Sequence, residues 1–403
     1  MRNFDVRNLI RPDLLDLPGY VPIEPTDVLA RRLGIDPGNV IKLDGNENPY
    51  GPSPKALDAV RAEPAYHIYP DPDQRAAREA IAGFVGAEVE RIVCGLGSDD
   101  LIDLILRAVL SPRDAVINCP PTFGMYPFST EVAGGRIIDV PRQESFALDL
   151  DGIVVASSPS GPDPRGLRQA KAIFLASPNN PTGNLLSAAE IERLLALPLL
   201  VVIDEAYIEF AGRERSSVPL VAEHENLVVL RTFSKWAGLA GLRAGYGVMS
   251  PALASVLMTI KQPYNLNVAA SDAVVAAIAD RELLDERACR ICGTRAKLTE
   301  ALAEIPWITP YPSDANFILC RLDGIDATEV KARLAKRGIF VRYFPRRAQD
   351  SVPRGARDSV PRGARDSVDT PMLRNHLRIS VGLDEHVEPV VKALREIGAE
   401  VGR

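Results

Sequence analysis

Short runs of Val, Ile and Leu recur along the first two thirds of the chain, and each is followed by a polar or glycine-rich stretch. They read RIVCGLGSDD, DAVINCPPTFGMY, KAIFLASPNNPTG, LPLLVVIDEAY and NLVVLRTFSK. Uninterrupted apolar runs of this length suit strands buried on both faces. Between them the pattern switches to helical spacing, as in DLIDLILRAVL and SAAEIERLLAL. Strand, loop and helix in alternation predict an α/β fold, with a mostly parallel sheet covered by helices. Ligands of such sheets bind beyond the carboxyl ends of the strands. The polar stretches all fall at that edge.

The last third changes rhythm. ANFILCRL, GIFVRYF and HLRISVG read as strands, with helices ATEVKARLAKRG and HVEPVVKALREIG between and after them. This predicts a second, smaller α/β unit. The division expected is residues 46–285 for the large domain, with residues 1–45 and 286–403 forming the small one. A long helix from about Ser271 to Ala303 is expected to bridge them. Two stretches read as loops. Val154 to Lys171 is rich in Ser, Pro and Gly. Residues 350–368, DSVPRGARDSVPRGARDSV, are a tandem repeat of period eight. It is too short for a solenoid. Loops absorb added length at small entropic cost, so the repeat reads as a tolerated insertion ahead of a lid or recruitment element.

Composition narrows the class. The chain has 403 residues, 46% hydrophobic and 25% charged, with a formal net charge of -6. These values fit a globular enzyme and give no basic field for nucleic acid. The five cysteines are scattered and odd in number, which argues for a reducing compartment rather than a disulfide framework. Cys289 and Cys292 form one C-x-x-C inside a helical pattern, without a second pair. The four histidines lie far apart, so no metal site is expected. The first residues lack the apolar core of a signal peptide, and no run is long enough to span a membrane. A cytoplasmic location is expected.

Candidate chemistry gathers at the predicted sheet edge. Lys235 follows an apolar strand in TFSKWAGLAGLRAGYG. A lysine in such packing either snorkels or becomes a nucleophilic amine of lowered pKa. Asp204 closes the run LPLLVVI, where a carboxylate needs a partner, and Tyr207 follows it. Asn179 and Asn180 precede a proline, which imposes extended or turn geometry. Each of these also serves as a turn or cap. Together they can hold an aromatic aldehyde cofactor, with Lys235 forming the imine, Asp204 pairing a ring-nitrogen proton, and Asn180 and Tyr207 bonding a ring oxygen. Gly97, Ser98 and Asp99 open a helix, whose free N–H groups favour an anion such as phosphate. Arg243 adds a charged contact, Thr232 and Ser234 add hydroxyls, and Phe123 either stacks on the ring or packs in the core.

In sequence order, LDGNENPYGPSP, YPDP, GLGSDD, PPTFGMY, SPNNPTG, IDEAYIEF, RTFSKWAGLAGLRAGY, ANFILCRL and LRISVG resemble the signatures of pyridoxal-phosphate-dependent aminotransferases of fold type I. The histidinol-phosphate aminotransferases are the most similar branch. The resemblance implies a homodimer with shared active sites and pyridoxal 5′-phosphate held by Lys235 as the Schiff-base lysine. It implies further cofactor contacts from Ser98, Asp99, Asn180, Asp204, Tyr207, Thr232, Ser234 and Arg243. Phe123 stands where the family usually has a stacking tyrosine, and Tyr69 reaches the neighbouring subunit's phosphate. Arg378, Arg342, Tyr20 and Asn180 fall to the substrate. The implied reaction is transamination between histidinol phosphate and 2-oxoglutarate. An aromatic amino acid aminotransferase, a phosphothreonine decarboxylase and a non-catalytic cofactor-binding regulator are the alternatives. The regulator would carry a DNA-binding helix pair, for which the first forty-five residues give no pattern.

Overall fold

The computed structural model describes residues 5–15, 17, 23–62, 65–112, 114–158, 170–344 and 371–402. Twelve strands form two sheets among them. They are β1 (Ile41–Leu43), β2 (Ile92–Gly95), β3 (Ala115–Asn118), β4 (Arg136–Asp139), β5 (Ala170–Ala176), β6 (Leu200–Asp204), β7 (Leu227–Thr232), β8 (Gly245–Val248), β9 (Ile308–Pro310), β10 (Phe317–Leu322), β11 (Ile339–Tyr343) and β12 (His376–Ser380).

The larger sheet runs β2-β8-β7-β6-β5-β3-β4. All its pairings are parallel except those of β8, which lies antiparallel to both neighbours. Its central strands alternate between two cores. Val201, Ile203, Leu227 and Val229 point into one, and Val202, Val228, Leu230 and Phe174 into the other. The period of two, with both faces apolar, is the signature of a sheet covered on both sides. Several covering helices are amphipathic. The helix Ala188–Leu195 starts in a capping box between Ser187 and Glu190 and buries Ile191, Leu194 and Leu195.

The smaller sheet runs β1-β11-β12-β10-β9. Leu298, Leu302, Trp307, Ile318, Val330, Leu334, Ile379, Leu394 and Ile397 form its own core. Strand β1 comes from the N-terminal part of the chain and pairs in parallel with β11, Ile41 opposite Ile339.

The expected helix Ser271–Ala303 is two helices, Val268–Ala279 and Arg281–Ala303. They meet at Asp280, whose φ of -113° and ψ of 21° leave the helical region. The expected loop Val154–Lys171 is shorter than its composition implied. Val154 to Ser157 finish the helix Leu150–Ser157, and Ala170 and Lys171 begin β5. Residues 159–169 and the repeat at 350–368 lie outside the described residues. No helix among the described residues is long and apolar enough to cross a membrane. No group of metal-ligating side chains occurs among them, and the five cysteines are unbridged.

Candidate active site

Strands β2, β3, β5, β6 and β7 point the same way, so their carboxyl ends share one edge. The chain leaves β7 at Thr232 and reaches Lys235 three residues later. Lys235 is half-buried, and its Nζ donates to the Gly45 carbonyl at 3.2 Å. The same nitrogen lies 5.8 Å from the centre of the Tyr207 ring. Burial, and next the Arg378 guanidinium, push its pKa down to about 8, while Glu47 and Asp99 oppose the shift. Both penalties disfavour the ammonium form.

Asp204 ends β6 and is buried. Tyr126 Oη donates to its Oδ2 at 2.8 Å and the Ala206 amide to its Oδ1 at 3.1 Å. Burial raises its pKa to about 6, against the stabilising bond from Tyr126. Both donors are neutral, so the carboxylate has been taken from water without a cation bonded to it. That is a costly arrangement unless a positive group arrives. A protonated ring nitrogen is such a group. Tyr126 carries Phe123 edge-on, their ring centres 5.5 Å apart. Phe123 thus stands beside the Asp204 pair.

The cradle for an anion is built by close approach. The helix Gly97–Val109 starts without a side-chain cap, and Gly97 has a φ of +78°. A Cβ on Gly97 would lie 2.7 Å from Arg243 Nη2, so the guanidinium occupies the space a side chain would fill. Arg243 also pairs with Asp99 at 3.1 Å. Gly245 lets β8 pass just as closely, since its Cβ would meet the Ser98 amide nitrogen at 2.8 Å. Thr232 Oγ1 is 2.9 Å from Ser234 Oγ, and it accepts from the Ser234 amide at 3.1 Å. The set Gly97, Ser98, Thr232, Ser234 and Arg243 offers helix N–H groups, hydroxyls and one guanidinium, the donor set a phosphate requires.

Arg378 on β12 reaches across from the smaller sheet. It donates to Asn180 Oδ1 at 2.6 Å and to the Asp44 carbonyl at 2.7 Å, with the Phe317 ring 5.3 Å beneath it. Arg342 on β11 is its direct partner in the strand register. Directly opposed residues of an antiparallel pair place their side chains on one face.

Thus Lys235, Asp204, Tyr207, Phe123, Asn180, Ser98, Asp99, Thr232, Ser234, Arg243 and Arg378 come together at one edge. Arg342 flanks them through its pairing with Arg378. Tyr69 stands apart, 78% exposed and stacked on Tyr264 with ring centres 4.5 Å apart. Tyr20 lies outside the described residues. Two participants escaped sequence reasoning. Tyr126 sits in the quoted stretch PPTFGMY, but only its partner Asp204 reveals its use. Asn46 sits in LDGNENPYGPSP and donates through Nδ2 to Tyr207 Oη at 3.0 Å. Its φ of 52° is invisible in the sequence, although Asn adopts that region more readily than most residues.

A family model described as aminotransferase class I and II matches residues 38–394. The chain belongs to that family. Its curated relatives include a histidinol-phosphate aminotransferase of Roseiflexus castenholzii, 47% identical over 97% of this chain and 99% of that protein. A chloroplastic histidinol-phosphate aminotransferase of Nicotiana plumbaginifolia is 43% identical over 96% of this chain and 86% of its own length. Among solved structures, histidinol-phosphate aminotransferase from Sinorhizobium meliloti, in complex with pyridoxal-5'-phosphate, superposes with a TM-score of 0.79. It is 27% identical and the match covers 98% of each chain. Membership in the family makes the protein a pyridoxal-phosphate-dependent transferase of fold type I, as the sequence motifs implied.

Proposed function

We propose that this enzyme transfers the amino group of histidinol phosphate to 2-oxoglutarate, a step of histidine biosynthesis carried out in the cytoplasm. The observation that carries the reading is the register of Arg342 against Arg378. Two guanidinium groups on one sheet face suit a substrate with two anionic ends, and a planar fork fits carboxylate or phosphate. Glutamate has two carboxylates. Histidinol phosphate has a phosphate at one end, so one pocket can serve both half-reactions. The 47% and 43% identical relatives, both named for this activity, support the same substrate.

Pyridoxal phosphate, when bound, supplies the electron-withdrawing ring and the carrier for the amino group. The chain's own residues supply the rest. Lys235 anchors the cofactor, and its amine then takes and returns the proton at the amino-bearing carbon of the donor. A pKa near 8 suits a base that works close to neutrality. Asp204 would hold the proton on the ring nitrogen. Tyr207 and Asn180 would bond the ring oxygen, and Arg243 with the start of the helix at Gly97 would hold the phosphate. Phe123 would cover the ring.

Tyr69 supports the reading of a homodimer. Tyr69 and Tyr264 are stacked and exposed, with Ile68 and Tyr66 also exposed nearby in sequence. In the proposed dimer the Tyr69 hydroxyl serves the phosphate site of the other subunit. The domain division at about residues 45 and 285 is proposed on the same footing.

The deciding test is a substrate panel with glutamate as the common product, run on wild type and Arg342→Ala. The variant's specificity constant for histidinol phosphate is expected to fall by roughly 2 kcal/mol, the scale of a lost charge-assisted bond. That for phenylalanine, with one anionic group, should hardly change. Equal losses, or a wild type that prefers phenylalanine, would instead identify an aromatic amino acid aminotransferase.

A further inference from the structure

Asn46 is 1% exposed, and its side chain joins the edge of the larger sheet to the smaller sheet. Its backbone amide donates to Ser380 Oγ at 2.9 Å, and Ser380 Oγ donates back to its Oδ1 at 2.7 Å. Its carbonyl accepts from Asn316 Nδ2 at 3.0 Å. Its Nδ2 donates to Tyr207 Oη at 3.0 Å. Ser380 lies two residues beyond Arg378 on β12, and therefore on the same face of the smaller sheet. Tyr207 belongs to the larger sheet's edge. The φ of 52° at Asn46 is held from both sides by these bonds.

In this network Ser380 Oγ, which accepts from the Asn46 amide, gives its own hydrogen to Oδ1, and the NH2 end faces Tyr207. The phenol oxygen accepts there, and its own hydrogen is turned away from Asn46. We infer that Asn46 is a positioning residue that orients the Tyr207 hydroxyl as a donor toward the cofactor's ring oxygen, and that Ser380 locks it in that orientation. The inference rests on the transaminase reading of the site. A hydrogen bond accepted at the phenol oxygen polarises the O–H and strengthens the bond it donates. Without it, Tyr207 is a weaker and less directed donor, and more negative charge remains on the ring oxygen. That charge holds a proton on the Lys235 nitrogen more firmly.

Several charged or titratable groups surround the pair: Asp44 and Glu47 on Asn46's own segment, Asp99 and Arg243 at the phosphate cradle, Lys235 after β7, and Arg378 on β12. The Gly45 and Asp44 carbonyls beside Asn46 accept from Lys235 and Arg378, so the test compares each change with and without the Tyr207 hydroxyl. A spectroscopic titration of the holoenzyme read in that way isolates the contribution of the amide. The bound cofactor's absorbance is followed against pH in wild type, Asn46→Ala, Tyr207→Phe and the double variant, with borohydride labelling to locate the cofactor on Lys235. Asn46→Ala is expected to raise the midpoint by about half a pH unit or more. In the Tyr207→Phe background the same change should add nothing, because the effect passes through the phenol. Ser380→Ala, which leaves the cofactor contacts in place, should shift the midpoint in the same direction and reads the relay from its far end if Asn46→Ala folds poorly.

An unmoved midpoint in both Asn46→Ala and Ser380→Ala overturns the inference while leaving the transaminase reading intact. So does a shift that is equally large without the Tyr207 hydroxyl. Failure of wild type to bind the cofactor at Lys235 overturns both.

Discussion

Lys235 is the residue whose environment matters most for the chemistry. Burial and Arg378 lower its pKa to about 8, so a free amine is abundant where an exposed lysine would be almost wholly protonated. Only the free amine attacks an aldehyde. The rate at which cofactor-free protein captures pyridoxal phosphate should therefore climb with pH and level off just above about 8, as followed by stopped-flow absorbance. A rate still climbing near 10 would show that the lysine is unperturbed. Asp204 works in the opposite sense. Its folded pKa of about 6 lies above the ordinary carboxylate value of 3.8, so the stability it permits is fully present below 3.8 and is lost as pH rises through 6. In the cofactor-free protein at pH 7 the ionised carboxylate costs on the order of 3 kcal/mol. Asp204→Asn should raise the thermal midpoint of the cofactor-free protein while slowing transamination at least a hundredfold, because the ring nitrogen loses its ionic partner. A variant that is both fully active and unchanged in stability would remove Asp204 from the site.

At the scale of elements, the phosphate cradle depends on glycine. Gly97→Ala adds a Cβ where Arg243 lies and places a side chain at a φ of +78°. Cofactor affinity should weaken at least tenfold by equilibrium titration, with the spectrum of the bound form little changed. Much of this level was legible in the sequence. The β5, β6 and β7 runs are apolar on both faces, so burial itself writes them as continuous Val, Ile and Leu. Lys235, Asp204 and Asn180 follow those runs directly, and a strand's end fixes where they go. Strand β8 was hidden because GYGV is half glycine, and its antiparallel course depends on the close approach to Ser98 rather than on apolar pattern. The break at Asp280 was hidden too, because the helical spacing continues through it. Tyr126 and Asn46 owe their roles to partners 78 and 161 residues away, which no local pattern reports.

For the whole molecule, the proposed shared site rests on the exposed Tyr69–Tyr264 stack. Inactive Lys235→Ala chains mixed with impaired Tyr69→Phe chains should regain activity in the heterodimer, where one site keeps both wild-type residues. Recovery no greater than either parent alone would make the site self-contained.

The stretch from Asp44 to Gly51 has a consequence for how the enzyme is made. Its Gly45 carbonyl meets Lys235, Asn48 Nδ2 bonds the Trp236 carbonyl at 2.8 Å, and a Cβ on Gly238 would strike the Gly51 backbone at 2.5 Å. Asn46 then waits for Ser380, 334 residues further along. Contacts this distant in sequence form late, after the loop entropy between them has been overcome. During synthesis the larger sheet can assemble once β8 has left the ribosome, but the segment beside Lys235 lacks its bonds to Ser380 until β12 emerges. A growing chain therefore carries its lysine through the synthesis of everything between Lys235 and β12 before Ser380 can pin Asn46, and the site closes only when nearly all of the polypeptide is present.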